Sequence, residues 1–163
     1  MAPPTLAEDL GKKKPFDLPE REAMLGVLRT AAVLAEPFER LFRDAGLSMP
    51  LFNILRILGS RGRAGIASGE IGPQMVTPAP DVTRLVDRLV KAGLVCRDRD
   101  ESDRRVVRVA ITDSGKRLLK KLNPAVTRLH KQTLGRLGAE DLREINRLME
   151  KARAVAEPPE KEN

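Results

Sequence analysis

Residues 80–112 read "PDVTRLVDRLVKAGLVCRDRDESDRRVVRVAIT". This stretch decides the fold because the spacing of its apolar residues changes halfway along, from that of a helix to that of a strand. The first half repeats apolar residues at helical spacing: Val82, Leu85, Val86, Leu89 and Val90. Pro80 and Asp81 suit the first turn of a helix, and Gly93 suits its end. The opposite side of this helix is polar, as on a helix with one buried and one exposed face.

The second half of the stretch alternates in the manner of a strand. Val107, Val109 and Ile111 fall on one side, and Val106, Arg108 and Ala110 fall on the other. Residues 94–99 and 105–112 are therefore predicted to pair as a β-hairpin. The tip between them is wholly polar and lacks a two-residue turn signal, so a longer loop is expected.

Upstream, residues 48–58 predict a helix that is apolar almost all round and therefore central, capped by Ser48. Residues 59–65 are rich in Gly and Arg and predict a loop. Residues 67–76 predict a short helix. A long helix is not expected there, because the glycines and Pro73 have low helix propensity. Two helices joined by a turn and followed by a hairpin form a winged helix-turn-helix.

Apolar helices flank this module on both sides. A helix is predicted from Pro19 to about Gly46, and another begins at Thr112 or Asp113. Pro124 is expected to kink or restart the second of these, and Gly138 separates a last helix. These apolar stripes need a partner, which is either a second copy of the chain or a helical cap on a monomer.

The predicted fold is mainly α, in the α+β class: a winged helix-turn-helix with a two-stranded wing, flanked by helices that form a dimerisation domain. The predicted segments are a disordered basic, Pro-rich arm (1–18), an N-terminal dimerisation helix (19–45), a winged-helix DNA-binding domain (46–112), C-terminal dimerisation helices (113–156) and a frayed tail (157–163).

The net charge is +7, and residues 46–121 contain fifteen basic and eight acidic side chains, so the whole excess lies in the middle of the chain. A basic module between neutral flanks indicates that the partner is a polyanion. A basic surface retained for solubility is the alternative. Aromatic residues make up only 2%, which argues against a stacking platform for single-stranded nucleic acid.

Catalytic and metal sites are not expected. A single histidine, His130, and a single cysteine, Cys96, form neither a metal site nor a nucleophilic set, so no enzyme activity and no cofactor are predicted. Cys96 is either a small apolar strand residue or a redox switch. With no signal peptide and no apolar run of membrane-spanning length, a cytoplasmic protein without membrane contact is expected.

The segments "PDVTRLVDRLVKAGLV" at 80–95 and "DRDESDRRVVRVAITDSGKRLL" at 98–119 resemble the MarR (multiple antibiotic resistance regulator) family, supported by "GLSMPLFNILRIL" at 46–58. The resemblance implies a homodimer that binds a pseudo-palindromic operator in double-stranded DNA, and we expect this regulator to act as a repressor. It also implies release by a small-molecule effector, often phenolic or aromatic. Three features depart from the family pattern: Gly72-Pro73, Pro124, and the lack of an N-terminal cysteine like that of peroxide-sensing relatives.

The resemblance assigns the candidate DNA-binding residues. On the recognition helix they are Thr83, Arg84, Asp87 and Arg88, and in the wing they are Arg99, Asp103, Arg104 and Arg105. Arginine suits guanine edges and phosphates, and Arg105 is expected to enter the minor groove with Asp103 holding an arginine in position. The alternatives are a solvated helix face with Asp87 bridging to a neighbouring arginine, and a wing of mutual salt bridges.

Two other functions remain open at this point. One is a winged-helix module for protein–protein contact whose basic face serves an acidic partner. The other is a redox-responsive regulator that uses Cys96. No residue in the sequence marks a ligand pocket.

Overall fold

The computed structural model describes residues 4–99 and 105–156. Two compact units divide between Leu122 and Asn123, inside one long helix. The first unit contains the sheet and most of the helices, and the second contains the end of that long helix and the last helix. No helix in the described ranges is both long and apolar enough to cross a membrane.

The N-terminal part contains a short helix where the sequence predicted a disordered arm. Helix α1 covers Leu6–Asp9 and begins with a capping box, in which the Thr5 hydroxyl accepts from the Glu8 backbone and the Glu8 carboxylate accepts from the Thr5 backbone at 2.7 Å. These two reciprocal bonds satisfy the amides at the start of the turn, which explains this local order.

Helix α2 covers Pro19–Asp44, as the apolar stripe predicts, and helix α3 covers Met49–Arg61 after Ser48. The Phe42 ring of α2 stacks on the Phe52 ring of α3, with centroids 4.0 Å apart. Side chains on several sides of α3 are buried, including Ile54, Leu55 and Leu58, so this helix is central, as its composition indicates.

The segment after α3 differs from its prediction. The predicted loop at 59–65 is partly helical, because α3 continues to Arg61 and a 3₁₀ turn follows at Gly62–Ala64. A short strand, β1 (Ile66–Ala67), comes next. The predicted short helix at 67–76 is instead two successive 3₁₀ turns, Ser68–Glu70 and Gly72–Gln74, because two glycines and a proline disfavour a continuous α-helix.

Helix α4 covers Val82–Lys91, and strands β2 (Val95–Arg99) and β3 (Val107–Ile111) follow it. The antiparallel sheet has the order β1-β3-β2, with β3 in the middle. The predicted hairpin of β2 and β3 is confirmed, and β1 pairs with the other side of β3. The β2–β3 register pairs Val95 with Ile111 and Arg97 with Val109. Helices α3 and α4 pack against this sheet and against each other.

Helix α5 covers Asp113–Gln132 without interruption, so it does not restart at Pro124 as one of the two expectations had it. Helix α6 covers Ala139–Ala156, after a 3₁₀ turn at Leu134–Arg136 and after Gly138, as expected. The apolar side chains Leu148, Met149 and Val155 of α6 are exposed.

Candidate nucleic-acid interface

Helix α4 has one buried and one exposed face. Val86 and Leu89 are buried in the core, whereas Thr83, Arg84 and Arg88 are exposed. The helix begins after Asp81, whose Oδ1 accepts a hydrogen bond from the Arg84 backbone N–H at 2.9 Å. Asp81 thus accepts a hydrogen bond from an otherwise unpaired amide at the helix start, and its negative charge interacts favourably with the positive end of the helix dipole.

The two arginines of this face are available to a partner. Arg84 is 84% exposed, and its Nε lies 3.7 Å from Asp81 Oδ2. An exposed ion pair of this kind contributes little and is easily exchanged for another anion. Arg88 follows one turn later, is exposed, and has no ion-pair partner in the part of the chain that the structure describes. The face can therefore offer two guanidinium groups on the same side of the helix.

Asp87 lies between Arg84 and Arg88 in sequence, but its described ion pair is with a residue of another element. Its carboxylate forms an ion pair with the Arg97 guanidinium from strand β2. Arg97 Nη2 also donates a hydrogen bond to the Thr83 carbonyl oxygen at 3.2 Å. Asp87 is thus joined to strand β2 rather than to another side chain of its own helix.

The segment that precedes α4 is attached to the core by side-chain hydrogen bonds. The Val76 backbone N–H donates to Asn53 Oδ1 of α3 at 2.8 Å. Arg61 Nη2 donates to Gln74 Oε1 at 3.2 Å, and Gln74 Nε2 donates to the Glu70 carbonyl oxygen at 3.0 Å. These bonds hold the two 3₁₀ turns in place although Gly72 and Pro73 prevent a regular helix there.

The wing is described up to Arg99 and again from Arg105. Arg99 is exposed at the end of β2, opposite Val107, and Arg105 is exposed shortly before β3. The other two predicted wing residues, Asp103 and Arg104, lie outside the described residues. The described part therefore has an exposed arginine on each side of the tip.

A compact junction connects the sheet to helix α5. The Thr112 hydroxyl donates to the Gly93 carbonyl oxygen at 2.7 Å and accepts from the Gly115 backbone N–H at 3.1 Å. A Cβ on Gly115 would overlap the Leu94 carbonyl oxygen and lie 2.7 Å from Ile111 Cγ1. The Thr-x-x-Gly spacing at 112–115 therefore reflects a close approach between the start of α5 and the segment that leaves α4.

Arg97 and Asn53 lie at the site but are not among the residues that the sequence predicts for it. Arg97 carried a signal that could have been used, because it alternates with Val95 on β2 and so falls on the side of the strand that faces the core. A charged residue on that side needs a partner. Asn53 offered no such signal, since its backbone partner is 23 residues away.

Comparison with known proteins gives a consistent result. The MarR family model matches residues 47–107. The HTH-type transcriptional repressor Mb2911 of Mycobacterium bovis is 30% identical over 132 residues, which cover 80% of this chain and 94% of that protein. The HTH-type transcriptional regulator YpoP of Bacillus subtilis is 34% identical over 84 residues, 52% of this chain. The match spans only 58% of YpoP, less than two thirds of its length.

Solved structures of similar fold include a MarR transcription factor from Planctomyces limnophilus, with 42% identity, a TM-score of 0.63, and coverage of 83% of this chain and 98% of that one. Sco3205 of Streptomyces coelicolor, solved in complex with DNA, has 24% identity and a TM-score of 0.77, with coverage of 91% and 96%. PcaV of the same organism, solved with its natural ligand, has 22% identity and a TM-score of 0.66, with coverage of 78% and 91%. At these two lower identities the likeness concerns the fold.

Proposed function

Because this chain belongs to the MarR family of transcriptional regulators, we propose that it is a homodimeric repressor that binds a pseudo-palindromic operator in double-stranded DNA. Helix α4 would enter the major groove in each half-site, and each wing would reach the adjacent minor groove. Sco3205, which shares this fold, was solved in complex with DNA, and this supports binding of DNA by the fold.

The observation that carries the proposal is the exposed face of α4. Arg84 and Arg88 stand on a helix whose other face is fixed in the core by Val86 and Leu89. A rigidly held helix with exposed arginines one turn apart can place guanidinium groups against guanine edges or phosphates. Thr83 precedes them and offers a hydroxyl and a methyl group to the same surface.

In the wing we propose that Arg105 enters the minor groove and that Arg99 and Arg104 contact phosphates. Narrow A·T-rich minor grooves attract arginine through their enhanced negative potential. Asp103 would hold an arginine in position rather than contact DNA, since a carboxylate is repelled by phosphate. The exposed positions of Arg99 and Arg105 on either side of the tip support these assignments.

The test is selection of a duplex from a random-sequence library by the wild-type protein, followed by titration of the recovered duplex. We expect the recovered sequence to show two-fold symmetry and to bind at least about 10³-fold more tightly than random duplex at the same salt concentration. Its affinity should fall steeply with added salt, since arginine contacts release counterions. Competition by random duplex at equal strength would contradict operator recognition and favour a general polyanion or acidic partner.

We also propose that a small phenolic or aromatic molecule controls DNA release. PcaV, which shares this fold, was solved with its natural ligand, and this supports ligand binding by the fold. Cys96 is half-buried, and its Sγ lies 3.6 Å from the Ala110 carbonyl oxygen on the neighbouring strand, so we base no redox control on it. We propose no catalytic activity, and as a regulator of transcription the protein would act in the cytoplasm.

A further inference from the structure

Arg97 has an unusual position for an arginine, because it lies on the side of the sheet that faces the core. On β2 it alternates with Val95, and its cross-strand partner is Val109, both of which are buried. The Arg97 side chain is only 30% exposed. A guanidinium placed there needs compensating contacts, since removing a charge from water is costly.

Helix α4 supplies those contacts from two successive turns. The Arg97 guanidinium pairs with the Asp87 carboxylate and donates to the Thr83 carbonyl oxygen at 3.2 Å. Thr83 and Asp87 are four residues apart, so one planar group spans one turn of the helix. Arg97 Nε is buried and has no hydrogen-bond partner among the described residues, so the hydrogen bonds shown for this guanidinium run to α4 from its two Nη atoms.

Two consequences follow for the exposed face of α4. Arg84 directly follows Thr83, and Arg88 directly follows Asp87. A rotation of α4 about its axis that breaks the Arg97 contacts therefore also changes the direction in which both arginines point. The pair also neutralises Asp87, which is 45% exposed and would otherwise repel phosphates beside Arg84 and Arg88.

We propose that Arg97 and Asp87 act as a positioning pair that sets the orientation of α4 on the wing strand and thereby the sequence discrimination of the protein. The proposal rests on the operator-binding function above and assigns no DNA contact to either residue. In particular, Asp87 acts through Arg97 rather than on a base.

The experiment uses the full-length protein with Arg97→Lys, Asp87→Asn and the double variant. Lysine keeps the charge but has no fork that reaches both partners, and asparagine keeps the shape but loses the charge. The probes are the duplex recovered by the wild-type protein and a random-sequence duplex of equal length. The preference for the recovered duplex should fall roughly tenfold in each single variant, as expected for losing correct placement of a base-reading arginine. Binding of random duplex should stay at or above the wild-type level.

The double variant should lose no more preference than the worse single variant, since both substitutions disrupt one interaction. Matched controls are Glu144→Gln and Arg147→Lys on α6, an exposed pair with bonds of 2.6 and 2.8 Å. These controls should leave both affinities unchanged. Thermal unfolding and the mass of each variant are measured alongside, so that a folding defect is detected.

Equal losses on both duplexes, tracking a lower Tm, would reduce the pair to a purely structural contact and overturn the proposal. Additive losses in the double variant, or an unchanged preference in Arg97→Lys, would overturn it as well. If the wild-type protein recovers no preferred duplex, operator recognition itself fails and the positioning role falls with it. If it recovers one but the variants keep its preference, only the positioning role fails.

Discussion

Arg84 is the residue of α4 that we propose reads a base. It lies in the first turn of α4, it is 84% exposed, and its pairing to Asp81 at 3.7 Å is too weak to hold it. Arg84→Ala should therefore reduce discrimination between the recovered duplex and a duplex mutated at one contacted base pair by about 1–3 kcal/mol. The measurement is a titration of both duplexes at one salt concentration.

The matched control for Arg84→Ala is Arg40→Ala on α2, since Arg40 is also exposed and pairs with a carboxylate in the preceding turn, Glu36, at 3.3 Å. This control should leave the discrimination unchanged. A uniform loss of affinity on every duplex in Arg84→Ala, with a salt slope reduced by about one, would instead mark Arg84 as a phosphate contact.

For single residues, the sequence predicts which side chains are exposed better than it predicts which side chains form ion pairs. The apolar repeat of 82–90 places Arg84 and Arg88 on the outer face, and the structure agrees. Which arginine pairs with Asp87 could not be derived, because Arg97 lies ten residues further on and reaches α4 only through the packing of β2. The alternation along β2 indicates that Arg97 faces the core and needs a partner, but it does not indicate which residue that partner is.

Among the secondary-structure elements, strand β1 shows why very short strands are not predicted from the sequence. Two residues, Ile66 and Ala67, cannot display an alternating pattern. Their pairing depends on Gly65, which has a φ of +60° and approaches the Val109 carbonyl so closely that a Cβ would overlap it. The glycines at 59–65 predict a break in the chain, but not the strand that follows it.

Pro124 shows the opposite case, because a local rule allows a new helix start there that does not occur. Proline removes one backbone donor inside a helix and clashes with the preceding turn, so a kink or a new start is the local expectation. Helix α5 nevertheless continues from Asp113 to Gln132. Apolar residues on both sides of the proline, Leu122 and Val126, are buried, which favours a continuous helix through this point.

Gly115 tests the junction between the sheet and α5. Gly115→Ala adds a methyl group that would overlap the Leu94 carbonyl oxygen, which also accepts from the Thr112 backbone at 3.1 Å. The better helix propensity of alanine, worth up to about 1 kcal/mol, should be outweighed by this clash. We expect a net decrease of about 1–3 kcal/mol in the free energy of unfolding, measured by urea denaturation.

The control for Gly115→Ala is Gly69→Ala, because Gly69 has open space around its Cα and no positive φ. It should change the free energy of unfolding by no more than about 0.5 kcal/mol. A Gly115→Ala protein as stable as wild type would mean that Leu94 and Ile111 move apart at little cost, and that the Thr-x-x-Gly spacing has another origin.

At the scale of the whole molecule, the exposed apolar side chains of α2 are the feature that a single chain does not explain. Met24 and Leu28 are both exposed, on the side of the helix that also carries Ala32 and Ala35. The sequence predicts both this stripe and its need for a partner, but one chain cannot show what covers it. Leu28, with 59% of its surface exposed, lies near the middle of the stripe that also contains Ala32 and Ala35.

We expect that a second copy of the chain covers this stripe, as the proposed homodimeric repressor requires. Leu28→Glu should then convert the dimer to a folded monomer in sedimentation measurements, because it places a carboxylate in an apolar interface. Thr30→Glu, two residues on and nearly opposite around the helix, introduces the same charge outside the stripe and should leave the dimer intact. Loss of the dimer should also weaken binding to the two-fold symmetric duplex, since each half-site would be bound separately. A Leu28→Glu protein that stays dimeric would exclude this part of α2 from the interface.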